Sequence, residues 1–177
     1  MTHHHAKGPQ AAHPQFAACT VLGHTPIFSR PEPAQKVLDV LRGLTEAKRL
    51  TVYAYVLLED NLYLLASAVD LAKEIQHFQA ATAPELLRLL DASDMSGMAK
   101  RIRRCQEKQK TDPAAQLWQD GPSPEIIKGH EMMQAKIDFI HQYPVKRGYV
   151  AEAALYRYSS ARNYAGQPGL LPVTTEW

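Results

Sequence analysis

The densest group of chemically active side chains in this sequence is a run of cations between residues 100 and 110. One acid, Glu107, interrupts the run, whose six cations are Lys100, Arg101, Arg103, Arg104, Lys108 and Lys110. Cations clustered on a helix can contact phosphate groups, so the run predicts a nucleic-acid contact. A solvated helix face whose charges meet only water explains the run equally well, and charge alone does not decide between the two.

Histidine is the second residue type that could do chemistry. Three consecutive histidines at 3–5, with His13, could bind a metal loosely, but they lie in a Gly- and Pro-bearing tract that is typical of a flexible tail. We expect His77 and His141 to be surface or hydrogen-bonded residues of helices. The sequence contains no P-loop, GxGxxG, HExxH or paired CxxC, which argues against a nucleotide cofactor and against zinc enzymes with local signatures.

The remaining composition is that of one globular domain, with 177 residues, 45% of them hydrophobic and 21% charged. The net charge of +2 is too small to indicate a nucleic-acid binder by itself. No apolar run is long enough to span a membrane, and two distant cysteines, Cys19 and Cys105, favour a cytoplasmic location. We expect a flexible tail at 1–14, a single domain over 15–166 and a C-terminal tail at 167–177.

The elements that must position these side chains alternate between strands and helices. Short runs of β-forming residues predict strands at 15–22, 51–58, 62–69 and 125–128, the second and third forming a hairpin. Helical spacing predicts helices at 33–49, at 98–110, and at 131–142 with Pro144 as its end. Another helix is expected from Leu71, capped by Asp70, to about Leu90, with Pro84 as a candidate break. A loop is expected at 91–97. This order predicts an α+β sandwich, with an antiparallel sheet and helices mainly on one face.

Four stretches of sequence occur in an informative order: AYVLLEDNLYLL (54–65), LWQ (117–119), FIHQYPVKRG (139–148) and YSSARNYAG (158–166). With Pro26-Ile27-Phe28 they span roughly residues 16–166. They resemble, in the same order, the segments AYVxMPNHxHLL, LWQ, YIHxNPVKxG and WSSARxYAG of the REP-associated tyrosine transposases, which are single-tyrosine HUH transposases. Each stretch alone is a weak signal, whereas four in the right order are specific.

The resemblance implies a ferredoxin-like fold and cleavage of single-stranded DNA beside a hairpin through a 5′-phosphotyrosine intermediate. In such enzymes two histidines on one strand share a face and hold Mg²⁺ or Mn²⁺, while a tyrosine attacks phosphorus. The metal-ligand positions of the family fall on Asn61 and Tyr63, and the nucleophile position falls on Phe139. None keeps the required group, so we expect no metal cofactor and a lost or strongly impaired cleavage reaction.

One tyrosine, Tyr143, remains as a candidate for a displaced nucleophile. It follows Phe139 by four residues, one helical turn. Pro144 comes directly after it and biases it out of the helix. An active transposase that uses Tyr143 is therefore the least favoured of the functions considered.

DNA binding need not vanish with cleavage, because affinity for the DNA backbone comes from cations and base stacking. Outside the basic run, the further candidates for phosphate contacts are Lys146, Arg147, Arg157 and Arg162. We expect a catalytically inactive relative of these transposases that binds single-stranded or hairpin DNA, with monomer favoured as the oligomeric state. The alternative is an interaction or structural scaffold with no DNA function.

Overall fold

A four-stranded antiparallel sheet lies at the centre of the structure, a computed structural model that describes residues 12–109 and 116–177. Its strands are β1 (Gln15–Thr20), β2 (Thr51–Leu57), β3 (Asn61–Ser67) and β4 (Glu125–Ile126). The order across the sheet is β2-β3-β1-β4, so β1 and β3 are central. The predicted hairpin is confirmed, because β2 and β3 pair antiparallel with Leu57 opposite Leu62.

Five α-helices surround this sheet in the described part of the chain: α1 (Pro31–Glu46), α2 (Leu71–Ala92), α3 (Ser96–Gln109), α4 (His130–Lys146) and α5 (Ala161–Tyr164). Short 3-10 turns occupy Leu22–His24, Ile27–Ser29 and Ala153–Leu155. The side chain of Asp70 accepts a hydrogen bond from the backbone N–H of Lys73 and caps α2 as predicted. Over the described residues, no helix has the length and apolar character needed to cross a bilayer.

The two faces of the sheet bury separate apolar clusters. On one face, α1, α2 and α3 cover the side chains of Leu62 and Leu64. On the other face, α4 places Ile137 and Ile140 against Leu65. The predicted α+β fold with helices mainly on one face is therefore confirmed, and α4 is the long helix that packs on the opposite face.

Proline does not end the helices in which it occurs. The prediction that Pro144 terminates α4 is wrong, because the helix continues to Lys146. A proline near a helix C-terminus removes only one backbone donor, here the partner of the Ile140 carbonyl, and the last turn tolerates that loss. The helix ends at Lys146, and Gly148 beyond it has a φ of +76°, the left-handed conformation common just past a helix C-terminus. Tyr143 is therefore helical, contrary to the expectation from Pro144.

A second boundary also differs from the prediction. α2 passes through Pro84 and continues to Ala92, and α3 begins at Ser96. The loop expected at 91–97 is therefore only three residues long, and Asp91 lies on α2.

The segment after α4 covers the outer edge of β2. The N–H of Leu57 donates to the carbonyl of Tyr158 at 2.8 Å, and the N–H of Thr174 donates to the carbonyl of Val52 at 2.8 Å. These bonds pair backbone groups that an exposed edge strand would leave open to another chain. The residues around Ser159 and Thr174 therefore form part of the packed structure.

Candidate nucleic-acid interface

The three positions that the resemblance associates with catalysis come together between β3 and α4. Side chains alternate along a strand, so Asn61 and Tyr63 point to the face on which α4 packs. Phe139 and Tyr143, one turn apart on α4, reach the same place. The centroid of the Tyr63 ring lies 5.4 Å from that of Phe139 and 5.3 Å from that of Tyr143.

Phe16 of β1 completes an aromatic cluster at this place, which consists of Phe16, Tyr63, Phe139 and Tyr143. The rings of Phe16 and Tyr63 stack with centroids 5.6 Å apart. Nζ of Lys136, one turn before Phe139 on α4, lies 4.3 Å from the centroid of the Phe16 ring. Sequence reasoning missed Phe16, because only the sheet order places β1 beside β3. It also missed Lys136, although the spacing of one helical turn from Phe139 was a local signal.

The donor atoms at the metal-ligand positions do not fit Mg²⁺ or Mn²⁺. Oδ1 of Asn61 is buried without a hydrogen-bond partner, but it is a single neutral oxygen. Burial, and then the hydrogen bond to Tyr143, raise the pKa of Tyr63, so its phenol stays protonated at neutral pH. Hard divalent cations need several oxygen ligands, with carboxylates prominent among them. The described residues contain no group of three or more His, Cys, Asp or Glu side chains that could hold a metal ion.

Tyr143 lies beside Tyr63 as a helical residue, with the two ring centroids 5.3 Å apart. Arg147 follows Tyr143 by one helical turn, at the end of α4. Nη2 of Arg147 in turn donates to Oη of Tyr149 at 3.0 Å, and that hydroxyl donates to Oε1 of Glu59 at 2.5 Å. These hydrogen bonds join the end of α4 to a carboxylate in the β2–β3 turn.

His141 is a buried structural residue, in keeping with the expectation of a hydrogen-bonded histidine. Its Nε2 lies 2.7 Å from Oγ of Ser160, which also accepts from the backbone N–H of Tyr55 at 2.9 Å. Burial lowers the pKa of His141 to about 4, so the ring is neutral at physiological pH. It holds the segment around Ser160 against α4 and β2.

The basic run forms the outer surface of α3. Three of its cations recur at every fourth residue, about 6 Å apart along the helix axis, and form the α3 stripe: Lys100, Arg104 and Lys108. All three are exposed, and within residues 12–109 and 116–177 none of them has an ion-pair partner. The stripe is therefore free to meet an anion.

Two other cations of the run are held by protein groups. Nη2 of Arg101 donates to the carbonyl of Gly23 at 2.6 Å, and Nη2 of Arg103 lies 2.5 Å from a carboxylate oxygen of Asp91. Lys110 lies outside the described residues. The run therefore divides into a free stripe and two side chains that hold α3 in place.

The remaining candidate cations lie elsewhere. Lys146 is exposed on the last turn of α4 beside Arg147, close to the aromatic cluster. The guanidinium of Arg157 lies over the ring of Tyr158, with its carbon 5.8 Å from the centroid. Nε of Arg162 donates to the carbonyl of Ala154 at 3.1 Å. α3 and α4 pack on opposite faces of the sheet, so these cations are spread around the molecule.

Comparison with known proteins finds a solved structure that shares this fold. Neither a protein-family model nor a curated protein sequence matches the chain. A structure of a REP-associated tyrosine transposase bound to a REP hairpin matches with a TM-score of 0.54 and 12% identity, covering 99% of this chain and 94% of that one. A protein assigned as a transposase in Deinococcus radiodurans R1 matches at 15% identity and a TM-score of 0.47, over 82% of this chain and 98% of that one. The motifs and the structural match agree that this chain has the fold of a REP-associated tyrosine transposase.

Proposed function

We propose that this chain binds single-stranded or hairpin DNA and does not cleave it. The observation that carries the proposal is the position of Phe139. It stands where the resemblance puts the nucleophile, and its ring packs 5.4 Å from Tyr63, which stands where a metal ligand is required. A phenylalanine ring has no oxygen with which to attack phosphorus, and the side chains around it do not fit a metal.

The DNA-binding half of the proposal is supported by the fold and by the free cations. A protein of the same fold is bound to a REP hairpin in its structure. Here the α3 stripe and Lys146 are exposed, and phosphate contacts of this kind need neither a metal nor a nucleophile. We therefore expect binding that requires no divalent cation.

The test is an equilibrium binding titration with fluorescent DNA hairpins, single strands and a random strand as the control. The measurement is repeated at several salt concentrations, with Mg²⁺ and with a chelator. We expect a preference for hairpins, an affinity that falls steeply with salt, and no effect of the chelator. Binding no tighter than that of the random strand would refute the DNA-binding half.

A second candidate function is an interaction or structural scaffold without DNA. It is favoured by the engagement of Arg101 and Arg103 within the protein and by the small net charge of +2. The same titration separates the two functions, because a scaffold shows no salt-dependent preference for hairpins.

A further inference from the structure

We propose that the aromatic cluster is a stacking site for one unpaired base of single-stranded DNA, with Phe139 as the contacting ring. This inference rests on the proposed function and adds a place and a mode of contact to it. The base would lie at the position where the resemblance implies cleavage chemistry. The cluster would therefore hold a base by its flat face instead of a phosphate by a metal.

Exposure distinguishes this cluster from an ordinary core. Phe139 is 39% exposed, and the rings of Phe16, Tyr63 and Tyr143 are only partly buried. By comparison, Trp118 is 4% exposed, stacks on Phe28, and donates its Nε1–H to Oγ1 of Thr82 at 2.9 Å. Aromatic residues that serve only the core are covered and satisfied in this way.

The rings behind Phe139 hold it in a fixed orientation. Its edge-on contacts reach Tyr63 at 5.4 Å, Tyr143 at 5.6 Å and Phe16 at 6.0 Å between centroids. The rings of Tyr63 and Tyr143 are themselves in edge-on contact, with centroids 5.3 Å apart. A ring supported on three sides loses little conformational entropy when a base stacks on it, which favours binding.

The charges beside the cluster suit the backbone that would accompany a stacked base. Lys136, Phe139, Tyr143 and Lys146 recur at three- and four-residue spacing and so lie along one side of α4. Lys136 is paired with Glu125 at 2.8 Å, and Arg147 faces Glu59 at 3.3 Å, whereas Lys146 has no ion-pair partner among the described residues. Alternating cations and rings are the arrangement by which proteins follow single strands.

The exposure and charge of the aromatic cluster indicate which class of ligand it would bind. The exposed ring of Phe139 near the free cation Lys146 fits a nucleobase joined to a phosphate, and base stacking on such a ring tolerates any sequence. An apolar protein segment would gain the same contact area but would leave the free charge of Lys146 without a partner. The observations therefore favour an unpaired nucleotide over a protein partner.

The experiment uses the full chain and a DNA hairpin with a single-stranded extension that carries 2-aminopurine at successive positions. Stacking changes the fluorescence of this base, so we expect quenching at one or two positions of the extension. Phe139→Ala should abolish the quenching and weaken binding of the extended hairpin about fivefold or more, with little effect on a blunt hairpin. Phe139→Trp should retain both, while Phe139→Leu, which keeps apolar bulk, should not.

Two controls separate the possible failures. Val69, fully exposed beyond the other end of β3, provides Val69→Ala, which should change neither quenching nor affinity. Salt-dependent binding of the blunt hairpin, with no quenching and no added affinity from the extension, would overturn the stacking site and leave the proposed function standing. If the wild-type chain bound no DNA at all, both would be overturned.

Discussion

The ring of Phe139 on α4 meets the ring of Tyr63 on β3 edge-on, with centroids 5.4 Å apart and planes inclined by 62°. Sequence separates these residues widely, and the sheet and helix bring them together at the place where the resemblance implies a nucleophile beside a metal ligand. Two aromatic rings in contact supply packing energy of roughly 0.5–1.5 kcal/mol beyond the area they bury. At the position where the resemblance implies a nucleophile beside a metal ligand, the structure therefore has two aromatic rings in contact.

The α3 stripe gives the first prediction. Replacing Lys100, Arg104 and Lys108 by Gln should reduce the slope of log K against log salt for hairpin binding by about 2 to 3, because each lost phosphate contact removes roughly 0.7–0.9. Arg103→Gln is the matched control, since Arg103 is paired with Asp91 and should change the slope little. An unchanged slope in the triple variant would show that DNA is bound elsewhere.

The buried imidazole of His141 gives a prediction on pH. Its pKa is about 4 in the folded protein, against 6.5 for an unperturbed histidine. Between these values the unfolded chain binds more protons, so stability falls as the pH is lowered from 6.5 toward 4. At pH 4 this difference in the pKa of His141 should lower the free energy of unfolding by about 3 kcal/mol relative to neutral pH.

Carboxylates also titrate in that range, so the test compares variants. Urea unfolding from pH 7 to pH 4 should show a smaller pH-dependent loss for His141→Gln than for the wild type. His77→Gln, at an exposed position of α2, is the control and should follow the wild type. Identical pH dependence of the His141→Gln variant and the wild type would contradict the assignment of a neutral, buried ring.

Gly23, after β1, lies close to α3, and this close approach gives a third prediction. Gly23 follows β1 with φ +63°, and a β-carbon there would lie 2.7 Å from Sγ of Cys105 on α3. Gly23→Ala should therefore cost about 1 kcal/mol or more for the left-handed backbone, and a further cost for the contact. In a Cys105→Ala background the second cost should disappear, which chemical denaturation can measure.

Gly97→Ala is the control for this cycle, because the β-carbon it would add has no described atom within 4 Å apart from its chain neighbours and the backbone of its own helix. That variant should leave stability unchanged or raise it slightly. If Gly23→Ala cost the same with and without Cys105, the close approach of α3 to this turn would be wrong.

Much of the fold could be predicted from local sequence patterns, because the structural preference of each segment agrees with its packing in the tertiary structure. The β2–β3 hairpin and the capping of α2 by Asp70 are each the outcome that local chemistry favours. Pro144 misled the prediction of the end of α4, since a single lost donor counts for less than packing of the helix on the sheet. The Arg147-Gly148 pair was the better signal for that end.

The site was only partly predictable. Asn61, Tyr63 and Phe139 follow from motif positions, and strand alternation predicts that the first two share a face. The presence of Phe16 in the cluster depends on β1 lying beside β3, and the division of the α3 cations depends on partners distant in sequence, such as Gly23 and Asp91. Relations of this kind are set by tertiary packing and have no local pattern.

One measurement tests the central claim most directly. A fluorescent DNA hairpin with single-stranded flanks is incubated with the protein and Mg²⁺ or Mn²⁺, and the sample is divided between a native gel and a denaturing gel. Binding without cleavage predicts a shifted band on the native gel, with free, full-length DNA on the denaturing gel. A protein–DNA adduct that survives denaturation, above all one attached to Tyr143 and lost in Tyr143→Phe, would contradict the account, as would DNA that does not shift on the native gel.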